Sequence, residues 1–339
     1  MSLADVFSAV RPAIVAFMPA FIPNVPGLPR PALFPIIGTG FVLGDGMVVT
    51  NAHVVDALLS LPRPPNWPAE RLPFTAVLFH RVEKDRYPNT PVDGYVQIPL
   101  EVLDVLRVGD IQLPEQAFYY GPRRPDFNIV KVKARGLPSV ELLSATDALR
   151  EGVEVATVGF PMGTEALTAP GWPHQLGPFF QRGIISAVLP FVCRAPHSFV
   201  INVMSMGGAS GSPVFLTDSA KVIGILNAGL LNSNETMSQI LGSPARLGIT
   251  QTPTNFSYVV PAYFFSSAIQ PIKDSGAFSL PPDTLTLDEM IRKATLTLAK
   301  QPGHNEPPGR GELAIVPDAA PKIDVRIEPT TPRTDREDP

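Results

Sequence analysis

Gly208-Ala209-Ser210-Gly211-Ser212-Pro213 sets a serine on a tight, glycine-rich turn between two apolar, strand-like runs. A serine hydroxyl is a weak nucleophile until a neighbouring base takes its proton. Its attack on a carbonyl also creates an oxyanion that needs backbone N–H groups aimed at it. Glycines on both sides of the serine free the backbone, so the amides of Gly208 and Ser210 can point into one small space. Taken alone, the stretch reads equally well as a plain Gly-Ser-Pro connection between two strands.

Two further segments supply the missing chemistry. Gly38-Thr39-Gly40-Phe41-Val42-Leu43-Gly44-Asp45-Gly46-Met47-Val48-Val49-Thr50-Asn51-Ala52-His53 reads as a strand, a turn at Gly44-Asp45-Gly46, a second strand, and a histidine just past its end. Asp126-Phe127-Asn128-Ile129-Val130-Lys131-Val132 places an acid immediately before an alternating strand. Serine catalysis needs a general base, and a carboxylate that orients the base and stabilises its cation. His53, Asp126 and Ser210 offer those types in the chain order His, Asp, Ser, the order of the chymotrypsin-like proteases. Asp56, Asp93, Asp104 and Asp110 are the rival acids, but Asp56 would face away on a helix and the others lack the acid-then-strand context.

On these motifs the chain resembles the trypsin-like serine proteases, most of all the disulfide-free HtrA (Deg) type. The resemblance extends to Glu151–Gly163 as the first hairpin of a second barrel and to Gln181–Ala187 as its next strand. Val222–Ala228 and Phe256–Pro261 match the last strands, so it spans about residues 5 to 265 in collinear order. It implies a mainly β fold of two six-stranded antiparallel Greek-key barrels, chymotrypsin-like, with short terminal helices. Barrel one would occupy about 12–134 and barrel two about 140–263, within a protease domain of 1–266. A helical extension at 267–300 and a Pro-rich, disordered tail at 301–339 would follow. Family members often carry a peptide-binding PDZ domain after the barrels, but the stretch after Ala262 is too poor in hydrophobic residues for one to be expected.

Composition agrees. Of 339 residues 45% are hydrophobic, enough for a full core, and 26 glycines with 40 prolines suit many short strands and turns. The net charge of −4 is dispersed, with no basic block longer than Arg123-Arg124, which argues against nucleic acid as a partner. Cys193 is the single cysteine, so no intramolecular disulfide is possible, which points to a reducing, cytoplasmic setting. The apolar stretch Pro12–Ile22 follows Asp5 and Arg11 and is interrupted by Pro19, so it reads as a strand after a short helix at Ala4–Val10, and no signal peptide is expected. No apolar run approaches the roughly 18 residues of a membrane span.

Two insertions stand apart. Leu61–Gly121 is proline-rich yet holds the strand-like runs Phe74–Phe79 and Val102–Leu106, with its loops either rimming a cleft or decorating the surface. Thr164–Phe180, carrying Trp172-Pro173-His174, reads as a surface loop or a lid. After the barrels, Pro261–Ile272 reads as one helix and Asp283–Lys300 as another, capped by Thr284 or Thr286. His80, His174, His197 and His304 show no metal-ligand spacing, so neither a metal nor any other cofactor is expected.

By the resemblance, His53 is the base, Asp126 its orienting acid and Ser210 the nucleophile, with the Gly208 and Ser210 amides as oxyanion donors. Met204, six residues before the serine, would floor an apolar specificity pocket. Asn227, Ala228 and Gly229 would form its wall and pair with an extended substrate. The implied partner is a protein or peptide, cut after apolar residues of small or medium size. Ala209 stands where the family usually has Asn, or Asp in zymogens. Gly207-Gly208 makes the oxyanion loop unusually free. The alternative is therefore a weakly active or inactive protease-fold protein that binds peptides.

Overall fold

A short helix leads into the first strand. Ser2 caps α1 (Leu3–Val10) through reciprocal bonds: the Asp5 amide donates to its hydroxyl at 3.2 Å, and its own amide donates to the Asp5 carboxylate at 2.9 Å. A 3-10 turn over Arg11–Ala13 then delivers the chain into β1 (Ile14–Pro19). The computed structural model describes residues 2–21, 35–44, 46–83, 86, 94–110, 121–143, 149–161, 163, 168–169, 172–173, 177–238, 246–276, 278–298 and 313–315.

The first barrel continues with β2 (Gly38–Gly44), β3 (Met47–Thr50), β4 (Phe74–Val82), β5 (Gly94–Arg107) and β6 (Asn128–Val132), with α2 (Ala52–Leu59) after β3. The strands run in the order β5-β4-β1-β2-β3-β6, and β5 closes the ring by pairing with β6. One long strand can do both because β5 pairs with β4 through Gly94–Glu101 and with β6 through Val102–Arg107, with a register shift between Val102 and Asp104. Only Val102–Leu106 of this strand is singled out from the sequence; its first half contains Pro99, a residue that lowers a strand's signal. In the fold Pro99 faces Val77 in the stretch between the residues that pair with other strands on the outer edge, where a missing N–H costs least.

The second barrel is built from β7 (Glu154–Gly159), β10 (Phe179–Leu189), β11 (Ser198–Ile201), β12 (Pro213–Leu216), β13 (Val222–Ser238) and β14 (Arg246–Pro261), closed in the order β10-β11-β14-β13-β12-β7. Between β7 and β10, the two short strands β8 (Thr168–Ala169) and β9 (Trp172–Pro173) pair with each other inside the 164–180 insertion; His174 lies outside the described residues. The fold is therefore two closed six-stranded antiparallel barrels with a few short helices.

Each strand at the junction buries both faces. Along β1, Val15 and Phe17 join the interior of barrel one, whereas Ile14, Ala16 and Met18 join a second apolar cluster. The same alternation runs through β3, with Val48 inside and Met47 and Val49 outside, and through β6, with Val130 inside and Ile129 outside. Ala156, Val158 and Phe160 at β7, Phe215 of β12 and Ile225 of β13 meet them from barrel two. Period-two alternation thus supplies a barrel core and an inter-barrel seam from the same strands.

Two helices follow the barrels, α3 (Ala262–Asp274) and α4 (Leu287–Leu298). Phe265 of α3 packs edge-on against Phe41 and Phe127 in the seam. Of the two candidate caps for α4, Thr286 serves: its hydroxyl accepts from the Glu289 amide at 3.3 Å while its amide donates to the Glu289 carboxylate at 2.8 Å. Of the segment expected to be disordered, residues 313–315 form β15, which pairs antiparallel with Gly94–Val96 of β5; the rest lies outside the described residues.

The apolar face of α4 belongs to barrel one, where Leu287 and Ile291 join its interior. Ile291→Ala is therefore expected to cost roughly 2–5 kcal/mol, as for other buried large-to-small changes. Denaturant unfolding of the full chain measures this. A loss below about 0.5 kcal/mol would show that α4 merely decorates the surface.

Candidate active site

His53 and Asp126 meet because β3 and β6 are antiparallel neighbours. Thr50 at the end of β3 faces Asn128 at the start of β6, so the chain just after one and just before the other emerges at the same end of the barrel. Asn51 strengthens the meeting, its side-chain amide donating to the Asp126 carbonyl at 2.7 Å. His53 is the second residue of α2, and its amide donates to Asp126 Oδ1 at 3.0 Å. Its ring Nδ1 lies 2.6 Å from Asp126 Oδ2. That contact favours the tautomer with the proton on Nδ1, which leaves Nε2 as an acceptor.

Burial pulls the Asp126 carboxyl upward, yet the bond to the His53 ring, the charge of that ring and the amides of His53 and Ala52 outweigh it. They hold the carboxyl below its ordinary value. The imidazole itself is half exposed, at 49% of its side-chain surface. Asp56, a rival from sequence, points to solvent from α2 and pairs with Arg107 at 2.9 Å.

Ser210 reaches the same place from the other barrel. Its carbonyl accepts from the Thr39 amide of β2 at 2.8 Å. The neighbouring Gly38 is wedged between the two sides: a Cβ there would lie 2.5 Å from Val54, the residue after His53, and 3.2 Å from the Ser210 carbonyl. Gly211 has φ +92° and its absent Cβ would meet the Thr39 carbonyl at 1.9 Å, so only glycine fits beside the serine. Glycine-rich sequence here is a close-packing requirement as much as a source of freedom.

The rest of the turn is tied down. Ser212 donates its hydroxyl to the Ala209 carbonyl at 2.6 Å, the Ala209 amide bonds the Met206 carbonyl at 3.0 Å, and the Gly211 amide bonds the Leu226 carbonyl at 2.9 Å. Among the described residues, the amides of Gly208 and Ser210 donate to no protein acceptor. The Ser210 hydroxyl donates to the Asn227 carbonyl at 3.0 Å. That carbonyl is aimed inward by a register shift between Leu226 and Ala228, which leaves Asn227 unpaired in the ladder to β14.

The expected pocket residues lie on two strands of chain that touch. A Cβ on Gly229 would stand 3.0 Å from the Ser205 carbonyl, so Met204-Ser205-Met206 runs beside Asn227-Ala228-Gly229. Met204 is 43% exposed and Met206 40%. The thioether expected to floor an apolar specificity pocket is thus accessible at the surface beside Asn227-Ala228-Gly229. Sequence reasoning did not single out Thr39 or Asn51, since a threonine in a strand and an asparagine ahead of a helix are ordinary; only their partners across the fold distinguish them. Among the described residues, no group of three or more His, Cys, Asp or Glu side chains could hold a metal, and no helix is long and apolar enough to cross a membrane.

Two closed barrels with a histidine, a carboxylate and a serine gathered at their junction define a chymotrypsin-like, two-barrel protein. Residues 38–225 match the family described as trypsin-like peptidase domain, and the chain belongs to that family. Solved structures similar to it include the HtrA-type protease AlgW with a decapeptide, 15% identical over 81% of this chain and 69% of that one, with a TM-score of 0.47. AlgW with a tripeptide is 16% identical over 81% of this chain and 65% of that one, at a TM-score of 0.44. No curated protein matches the chain.

The lowered Asp126 carboxyl links stability to pH. A carboxyl whose folded value lies below its unfolded one, about 3.9, stabilises fully above the unfolded value and loses that contribution as pH falls through the folded one. Wild type should therefore exceed Asp126→Asn in unfolding free energy by most near neutrality, and the gap should narrow below about pH 4. Parallel urea titrations at pH 7 and pH 3 provide the comparison. A gap that stays constant would mean that the carboxylate's charge contributes nothing.

Proposed function

We propose that this chain is a serine endopeptidase in which Ser210, His53 and Asp126 form the catalytic triad. Ser210 Oγ bonds to the substrate carbonyl carbon while its proton passes to Nε2 of His53. Asp126, bonded at Nδ1, fixes the ring and stabilises its cation. His53 then gives that proton to the leaving amine as the C–N bond breaks. Water enters by the same route to release the acid from the acyl-enzyme. The amides of Gly208 and Ser210 hold the oxyanion, which the absence of any protein acceptor for either among the described residues supports. The observation that carries this reading is the 2.6 Å contact between His53 Nδ1 and Asp126 Oδ2 beside a serine held against the same barrel.

One feature favours a second, quieter reading. With its hydroxyl donated to the Asn227 carbonyl, Ser210 must rotate before His53 can take the proton. A protein that stayed in this arrangement would bind peptides along Asn227–Gly229 and cut them slowly. A fluorophosphonate separates the two: the endopeptidase reading expects rapid labelling on Ser210, abolished in Ser210→Ala. Peptidase turnover in that variant should drop to the roughly 10³–10⁴ over water that binding and oxyanion stabilisation alone provide. Labelling at another serine, or undiminished cleavage by the variant, would overturn the assignment.

Substrate choice follows from the uncharged surface beside the nucleophile. Met204 and the backbone of Asn227, Ala228 and Gly229 offer apolar contact and strand-pairing groups, and none of these four residues carries a charge to offset desolvation of a buried lysine or arginine head. Profiling with a peptide library should show cleavage after Val, Ala, Leu or Met, with basic residues strongly disfavoured. Met204→Asp should lower cleavage of the apolar substrates. A wild-type preference for Arg or Lys at that position would sink the pocket assignment.

A further inference from the structure

The nucleophile loop is held from the first barrel by one fully buried side chain, Thr39 on β2. Its hydroxyl donates to the Gly208 carbonyl at 2.7 Å and accepts from the Phe160 amide at 3.1 Å. Its amide donates to the Ser210 carbonyl at 2.8 Å, and its own carbonyl accepts from the Thr50 hydroxyl at 2.7 Å. Thr39 thus joins four segments: its own strand, the end of β3, the turn after β7 and the loop that carries the serine.

We propose that Thr39 is a positioning residue whose hydroxyl latches the Gly208–Ala209 peptide, the group between the two oxyanion donors, so that the Gly208 and Ser210 amides keep their spacing beside the reacting carbonyl; this rests on the reading of Ser210 as nucleophile. The Gly208 amide lies in the peptide before that group and the Ser210 amide in the peptide after it, so the intervening group sets where both donors start, and the Ala209 amide holds its other end by donating to the Met206 carbonyl at 3.0 Å. On the carbonyl side of Gly208 the Thr39 hydroxyl supplies the hold. At its Cα the hold is steric: Gly208 adopts φ +91°, and a Cβ there would lie 2.4 Å from the Phe160 carbonyl and 2.7 Å from the Gly163 amide.

Gly207 is different, exposed and with nothing within 4 Å of where its Cβ would be. The freedom that the Gly207-Gly208 pair suggests in sequence is therefore confined to Gly207, while Gly208 is held by the Thr39 hydroxyl and by the close-packed turn after β7. The hydroxyl's place between Phe160 and Gly208 also explains why a strand residue facing the seam is polar. A purely apolar side chain would fill the space and release both groups.

The test compares full-length Thr39→Val, Thr39→Ala and Thr39→Ser with wild type. Two rates are read: cleavage of a fluorogenic peptide amide after valine, and labelling of Ser210 by a fluorophosphonate. Loss of the hydroxyl in the valine and alanine variants should lower kcat and the labelling rate roughly 10- to 100-fold, the scale of a small misplacement at a reacting centre. KM should stay within about twofold, the mark of an interaction made only in the transition state. Thr39→Ser, which keeps the hydroxyl, should recover both rates to within about threefold of wild type. Unchanged rates in folded Val and Ala variants, with wild type labelled, overturn the latch alone. If both variants are recovered unfolded by circular dichroism, the hydroxyl serves the fold and the positioning role is overturned. An unlabelled wild type overturns the nucleophile reading itself.

Discussion

Strands at the barrel junction have to satisfy two apolar environments at once, and the site exists because they do. Ile14, Ala16, Val49 and Ile129 turn outward from barrel one and meet Ala156, Val158, Phe160 and Phe215 of barrel two. Removing that seam would leave two closed barrels, each with its own interior, and no reason for His53 to lie near Ser210. Burial of these side chains is worth a few kcal/mol apiece. It is also non-directional, and would tolerate sliding of one barrel over the other.

Direction comes from the hydrogen bonds laid across the same seam. Thr39 contributes an amide and a hydroxyl, both inside the apolar contact, where bonds left unmade are costly. A slip of one residue along β2 would break them together. The polar contacts therefore select one relative placement among the many that apolar burial alone would accept. Glycines at 38, 208 and 211 let the backbones approach closely enough for those bonds to form.

The half of the site on barrel one is rigid for a simpler reason. His53 and Asp126 sit at one end of a paired strand set, with both carboxylate oxygens and the Asp126 carbonyl engaged. Ser210 belongs to a tighter but adjustable turn, in which Gly207 is open and the hydroxyl is directed at Asn227. In the proposed triad, His53 and Asp126 are thus prepared in advance, and adjustment is left to Ser210.

What the sequence determined by itself was whatever short-range pattern encodes. Alternation marked the strands around His53, Asp126 and Ser210, glycine-rich turns marked their ends, and collinear motifs tied them to one family and its two-barrel fold. Thr286 was legible as a cap because capping is local. Tertiary structure alone decided the rest. The first half of β5 was not singled out; it contains Pro99, whose cost depends on which edge of the strand it faces. Met204 was legible as a candidate pocket residue, but that its segment lies beside Asn227–Gly229 follows from the close approach of Gly229 to Ser205, residues far apart in the chain. Thr39 carried no signal at all, because the worth of a buried hydroxyl is set by the groups it meets, and those come from residues 160 and 208.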